Sequence, residues 1–176
     1  FSGQIAGFVF GGLITKSSAK GIVNAPNAPP NNPVGGAFGS LINGSCVNCF
    51  STAEVIGSTD VGGFAGRNQT TIENCYSIGS VTGDGSNVEI GGFCNSGSGN
   101  AINCFWDINT SGQTGAGQGV GLPTQDMQKL TTFDSAGWDI VEISDPNAAF
   151  LYPLLDTSNP ATWTIPSTCN HPDVWS

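Results

Sequence analysis

Val61-Gly62-Gly63-Phe64, followed by Ile72-Glu73-Asn74-Cys75-Tyr76-Ser77-Ile78-Gly79-Ser80-Val81, decides the fold, because its framework is written three times. The triplet Asn74-Cys75-Tyr76 also occurs as Asn48-Cys49-Phe50 and as Asn103-Cys104-Phe105. Each copy follows an aliphatic–Gly–Gly signature, at Val34-Gly35-Gly36, Val61-Gly62-Gly63 and Ile90-Gly91-Gly92. The first glycine precedes its cysteine by 14, 13 and 13 residues, and the cysteines recur after 26 and 29. A period of this size with no helical pattern inside it predicts stacked β-coils, one repeat to a rung.

Within a repeat, Cys49–Val55 and Cys75–Val81 read as strands of period two. Cys, Ala or Gly, and Val share one face, and their small volumes suit the narrow interior of a coil. A degenerate earlier rung runs from Ile5-Ala6-Gly7-Phe8, with Ile14 matching Ile72, Val23 matching Val81, and Ser17 standing in the cysteine position. Between it and the next rung lies Asn24–Pro33, whose four prolines remove ladder donors and predict a stiff surface loop. After Gly112 the repeat stops. A Gly-rich stretch leads to a short helix expected near Pro123–Leu130, with Thr124 as N-cap. Three of the four tryptophans follow, at 138, 163 and 175, and read as a lid on the stack. The expected architecture is all-β: a parallel β-solenoid of three to four rungs over residues 1–112, with a small mixed capping module over 113–176.

The pattern V/I-G-G-F, then I-x-N-C-aromatic, then G-x-V, resembles the GLUG repeat of bacterial surface and adhesin-type proteins. The tail, with Met127, Phe133, Gly137-Trp138-Asp139 and Trp163-x-Ile165, is similar to the segment that often follows those repeats. The resemblance implies an extracellular β-solenoid within a large surface protein, and it brings no catalytic residues with it. The first rung departs from the pattern at Lys16 and Ser17.

Composition narrows the functions further. Twenty-six glycines and 10% charged residues suit many tight turns between short strands. Thirteen acids against four bases, a net charge of −9, leave no basic patch to displace counterions from nucleic acid. They equally disfavour an anionic membrane surface. No run approaches the roughly 20 apolar residues of a membrane span. The numbering opens at Phe1 without a signal pattern, so the chain is expected to be processed or part of something longer. The low lysine content and several cysteines fit an extracellular or cell-surface location. Three sequons, at Asn43, Asn68 and Asn109, match what an Asn-, Ser- and Thr-rich chain produces by chance.

Cys46, Cys49, Cys75, Cys94, Cys104 and Cys169 are an even set that permits three disulfides without requiring them. Equivalent positions on stacked rungs lie about 4.8 Å apart, within bridging range. The same cysteines would serve equally as small buried hydrophobes. Cys46 and Cys49 form a CxxC, but it lacks a second CxxC and the single histidine, His171, is remote, so zinc is not expected. No other cofactor is implied. The rings of Phe50, Tyr76 and Phe105 either form an exposed ladder able to dock a sugar or a subunit, or turn into the core at the triplet, which is the expectation. The column Asn48, Asn74, Asn103 is read as a hydrogen-bonded ladder at a corner.

No acidic cleft emerges for glycoside hydrolysis, which needs two carboxylates about 5–10 Å apart. Glu54 aligns with Ser80, and Arg67 is the only cation among the well-formed rungs. Asp84-Gly85-Ser86-Asn87 reads as a turn before it reads as a calcium loop. The first rung has no visible cap, and Phe1, Ile5, Phe8 and Phe10 give it an apolar character. The expected function is therefore a non-catalytic structural protein of the cell surface or an extracellular fibre. It would self-associate head to tail, or continue into a longer parent chain, through that rung. The alternative is a carbohydrate-binding adhesin fragment or a polysaccharide-active β-helix.

Overall fold

The computed structural model describes residues 2–84, 89–115, 117–144, 149–156 and 163–167. Its first 124 residues wind into a parallel β-solenoid of about three turns. The second coil consists of Val34–Gly35, Phe38–Val47, Phe50–Ser51 and Glu54–Gly57. The third repeats it with Val61–Gly62, Ala65–Glu73, Tyr76–Ser77 and Val81–Gly83. The first coil contributes Ala6–Phe10, Leu13–Thr15, Ser18–Ala19 and Ile22–Ala25, and the fourth begins with Ile90–Gly91 and ends in Phe105–Asp107. Pairing between coils is parallel, with one register shift between Gln69 and Thr71 where Ala65–Glu73 meets Phe38–Val47; Val23, Val55 and Val81 stack, as do Phe50, Tyr76 and Phe105. The all-β solenoid expected from the repeat is the observed architecture.

The corner of each coil explains the triplet. Positions 46 and 49 are an odd number apart, so in an unbroken strand their side chains would face opposite ways. Both are buried, because Asn48 between them is left-handed, with φ 55°, and turns the chain. Asn74 and Asn103 do the same at φ 50° and 51°, and Lys16 at φ 49° in the first coil. Asparagine tolerates this conformation better than most residues. Its amide is also used: Asn103 Nδ2 donates to Asn74 Oδ1 at 3.3 Å, as the ladder reading requires.

The Gly–Gly signature is a packing requirement. A Cβ on Gly63 would meet the carbonyl of Gly92 and sit 3.2 Å from Ser77 Oγ. One on Gly36 would collide with the Gly63 carbonyl and Ser51 Oγ, and one on Gly92 with the Trp106 ring. The serine column is thus inside: Ser51 and Ser77 are buried, and Ser77 Oγ donates to Gly92 O at 2.8 Å. Two cores result. Five valines, Val23, Val34, Val55, Val61 and Val81, fill one. The other holds Phe38, Phe64 and Phe93 with all five described cysteines. There Phe64 stacks on Phe93 at 4.8 Å and meets Phe38 edge-on at 5.6 Å.

Beyond Gly112 the solenoid continues. Val120–Leu122 pairs in parallel with Phe105–Asp107. Between them, the single helical turn Ile108–Ser111 is capped by the Asp107 carboxylate, which accepts from the Asn109 and Thr110 amides. Gln125–Ser176 form a second compact unit. In it Ile140–Ile143 pairs in parallel with Trp163–Pro166, which pairs antiparallel with Leu154–Leu155. Phe133, Trp138 and Trp163 pack with ring centres 4.8–4.9 Å apart. The helix expected near 123–130 is shorter, Thr124–Met127. Thr124 lies inside it instead of capping it, and its hydroxyl donates to Asp107 Oδ1 at 3.0 Å.

Candidate functional site

The chemistry-bearing residues that the solenoid brings together are cysteines. Cys49, Cys75 and Cys104 occupy one column, since the flanking strands pair Phe50 with Tyr76 and Tyr76 with Phe105. Cys46 belongs to the adjacent column, Ile14–Cys46–Ile72–Ala101. Every other member of that column is apolar, so Cys46 is the exception in its row. The left-handed corner at Asn48 swings it beside the cysteine column. The sulfurs of Cys46, Cys49 and Cys75 all lie within 4.8 Å of one another, and each residue is 0% exposed.

Backbone groups organise the cluster. The Ser17 amide donates to Cys49 Sγ at 3.4 Å, and the Cys49 amide donates to Cys75 Sγ at 3.3 Å. Cys75 Sγ lies 3.1 Å from Glu73 O and Cys49 Sγ 3.4 Å from Val47 O, within reach for thiol donation. The Cys49 thiol is held below its ordinary range by hydrogen bonds from Cys46 first and Cys75 next, with the Ser17 amide adding to them. The bond shared with Cys49 raises Cys46, and burial raises Cys75. Cys94, away from the trio, is pushed up to about 12 by burial. None of the five described cysteines is in a disulfide; Cys169 lies outside the described residues, as does His171.

The trio was not legible in the sequence as a site. The CxxC of Cys46 and Cys49 gave two of its three members, but the third is 26 residues on and arrives only through stacking. The aromatic column resolves toward the core: Tyr76 is 0% exposed, Phe105 8%, and Phe50 half-buried. Phe50 and Tyr76 stack face to face at 5.1 Å. Of the first-rung residues, Phe8 and Phe10 are exposed and stacked at 6.4 Å, Ile5 is exposed, and Phe1 lies outside the described residues. Gly85, Ser86 and Asn87 of the turn do too.

Among the described residues, acidic side chains pair with the protein's own cations, Asp126 with Lys129 and Asp60 with Arg67. Arg67 pairs with Asp60 at 2.6 Å on a surface hollow of about 350 Å³ that Glu89, Ser58 and Asn31 also line. Asn68 of the second sequon is fully buried, its amide nitrogen donating to Gln118 Oε1 at 2.7 Å, a position no glycan reaches.

Comparison with known proteins bears on this geometry. Residues 57–82 match the model of the GLUG motif, a span that runs from Gly57 through the second Gly–Gly and Asn74-Cys75-Tyr76 to Thr82. The chain is 41% identical over 88 residues to a protein of Evansella cellulosilytica named "Putative Gly-rich membrane protein". That alignment covers 46% of this chain and 10% of the relative. No solved structure matches. Among the described residues no helix is long and apolar enough to cross a membrane. The motif and the β-solenoid fit a surface or extracellular protein.

Proposed function

We propose that this chain is a non-catalytic structural stack of coils in a surface or extracellular protein, extended by strand addition at its first coil. The observation that carries the reading is the edge this coil presents. Ala6–Phe10, Ser18–Ala19 and Ile22–Ala25 are each the terminal strand of their sheet. On the same coil Phe10, Leu13 and Ile22 are 69%, 65% and 61% exposed. A terminal strand offers a row of amide and carbonyl groups that a further parallel strand can satisfy. A coil of like sequence suits it best, because the columns of this solenoid run from coil to coil. That coil comes from a second copy, giving a heterologous head-to-tail contact and hence a fibre, or from preceding coils of a longer chain. The length of the matched relative favours a place within a longer protein.

The burial of Tyr76 weighs against the rival reading, in which a ladder of rings docks carbohydrate. The test is analytical ultracentrifugation and electron microscopy of the purified chain. Head-to-tail oligomers that grow with concentration are expected, and the double variant Phe10→Lys, Ile22→Lys should abolish them without changing the circular dichroism. A wild-type chain that stays monomeric at high micromolar concentration and binds a glycan array would overturn the proposal.

A further inference from the structure

We propose that Cys46, Cys49 and Cys75 form a trithiolate site for a soft monovalent metal ion of the Cu(I) type. The argument starts from the column in which Cys46 stands. In the other coils that position is Ile14, Ile72 and Ala101, so the solenoid needs only an apolar side chain there. A thiol appears in the one coil where it can meet both Cys49 and Cys75. The three sulfurs within 4.8 Å of one another converge from two coils on a common interior point.

The donor set selects the ion. Among the described residues no carboxylate or imidazole joins the three sulfurs, and all three cysteines are 0% exposed. Zinc in a structural site takes four ligands in a tetrahedron; among the described residues only these three sulfurs lie within 4.8 Å of one another, the Cys104 thiol reaching Cys75 without joining the group, and the site is closed to bulk water. Soft thiolates select Cu(I), which three sulfurs can satisfy in a plane. Two backbone amides already aim at the sulfurs, Ser17 N–H at Cys49 and Cys49 N–H at Cys75. Such donors stabilise thiolate charge in the way outer-shell partners tune metal ligands. Binding is an exchange without redox change: each S–H proton passes to solvent as its S–Cu bond forms, and copper stays Cu(I).

The experiment uses the full chain in a Cys169→Ser background, titrated anaerobically with Cu(I) supplied as its acetonitrile complex. One ion per chain is expected, with thiolate-to-copper charge-transfer absorption and a raised thermal midpoint. X-ray absorption should show a first shell of three sulfurs. Cys46→Ala, which installs the residue the fourth coil carries in this column, should fold and bind more than about 100-fold more weakly, exceeding the loss typical of an outer-shell partner. Cys94→Ala should bind as the parent does. The proposal is overturned by absent binding, by undiminished binding in Cys46→Ala, or by a shell with two sulfurs or with nitrogen or oxygen. A disulfide between any two of the three in the native protein, found by mass spectrometry, would overturn it equally.

Discussion

At the scale of single residues, the repeat is a set of solutions to two local problems, a left-handed corner and a lack of room. The corner problem is solved by asparagine in three coils and left poorly solved by Lys16, which holds φ 49° without asparagine's short amide side chain. A left-handed conformation costs an ordinary L-residue roughly 1–2 kcal/mol, and asparagine less. Lys16→Asn should therefore stabilise the chain by about 0.5–1 kcal/mol, read from its urea midpoint; an unchanged or lower midpoint would mean that the corner is not strained. The room problem gives a sharper contrast. Gly63→Ala forces a methyl group against the Gly92 carbonyl and Ser77 Oγ, where neighbouring backbone yields poorly, and should cost about 3 kcal/mol, the upper end of the usual overpacking range. Gly115→Ala meets nothing within 4 Å and should be neutral within about 0.5 kcal/mol. If the two substitutions cost the same, the Gly–Gly signature reflects turn propensity and not packing. These positions were readable in the sequence because the repeat marks them three times over. Cys46 was not, since its meaning comes from a neighbour in the next coil.

At the scale of elements, parallel strands of two to ten residues are held by columns of like side chains, and burial inside those columns has a pH signature. Cys94 lies on the short strand Cys94–Ser96, paired with Ala65–Arg67, and burial lifts its thiol from 9.0 to about 12. An acid whose folded pKa is raised is favoured in its protonated form by folding. Its contribution is complete below about pH 9 and lost as pH climbs toward 12, because only the unfolded chain releases the proton in that window. At about 1.4 kcal/mol for each pKa unit, the loss is on the order of 4 kcal/mol. Cys94→Ala should weaken the chain modestly at pH 7 and flatten the fall of its urea midpoint between pH 8 and 11; an equally steep fall would show that this thiol does not carry the alkaline limb. The elements themselves were largely legible, since period-two alternation from Cys49 to Val55 places Cys49, Ser51, Ala53 and Val55 inside, and all four are buried. The strand Val120–Leu122 was not, because its Gly-rich flanks carry no alternation and it is specified by pairing with Phe105–Asp107. The triplet rings were ambiguous for a related reason. Alternation turns them outward, whereas Tyr76 is fully buried with its ring stacked on Phe50.

At the scale of the solenoid, stability is a sum over neighbouring coils, so it must be uneven along the stack. The strands Phe38–Val47 and Ala65–Glu73 are paired on both sides, whereas Ala6–Phe10 ends its sheet. Opening the first coil breaks one interface; opening the second breaks two. Hydrogen exchange read by mass spectrometry should then show a gradient, with amides of Ala65–Glu73 slowest and those of Ala6–Phe10 and Ile22–Ala25 exchanging at least about tenfold faster, equivalent to about 1.4 kcal/mol of extra opening free energy. The gradient also separates the two ways the edge can be covered. If a second copy adds its strands there, protection of the first coil should rise with protein concentration while the third coil stays unchanged, because mass action stabilises only the state that binds. If the natural partner is a preceding coil of a longer chain, first-coil protection should rise on lengthening the polypeptide upstream and stay independent of concentration. A first coil that exchanges as slowly as the third in dilute monomer would contradict both, since it would mean that the terminal strands need no further strand to be stable.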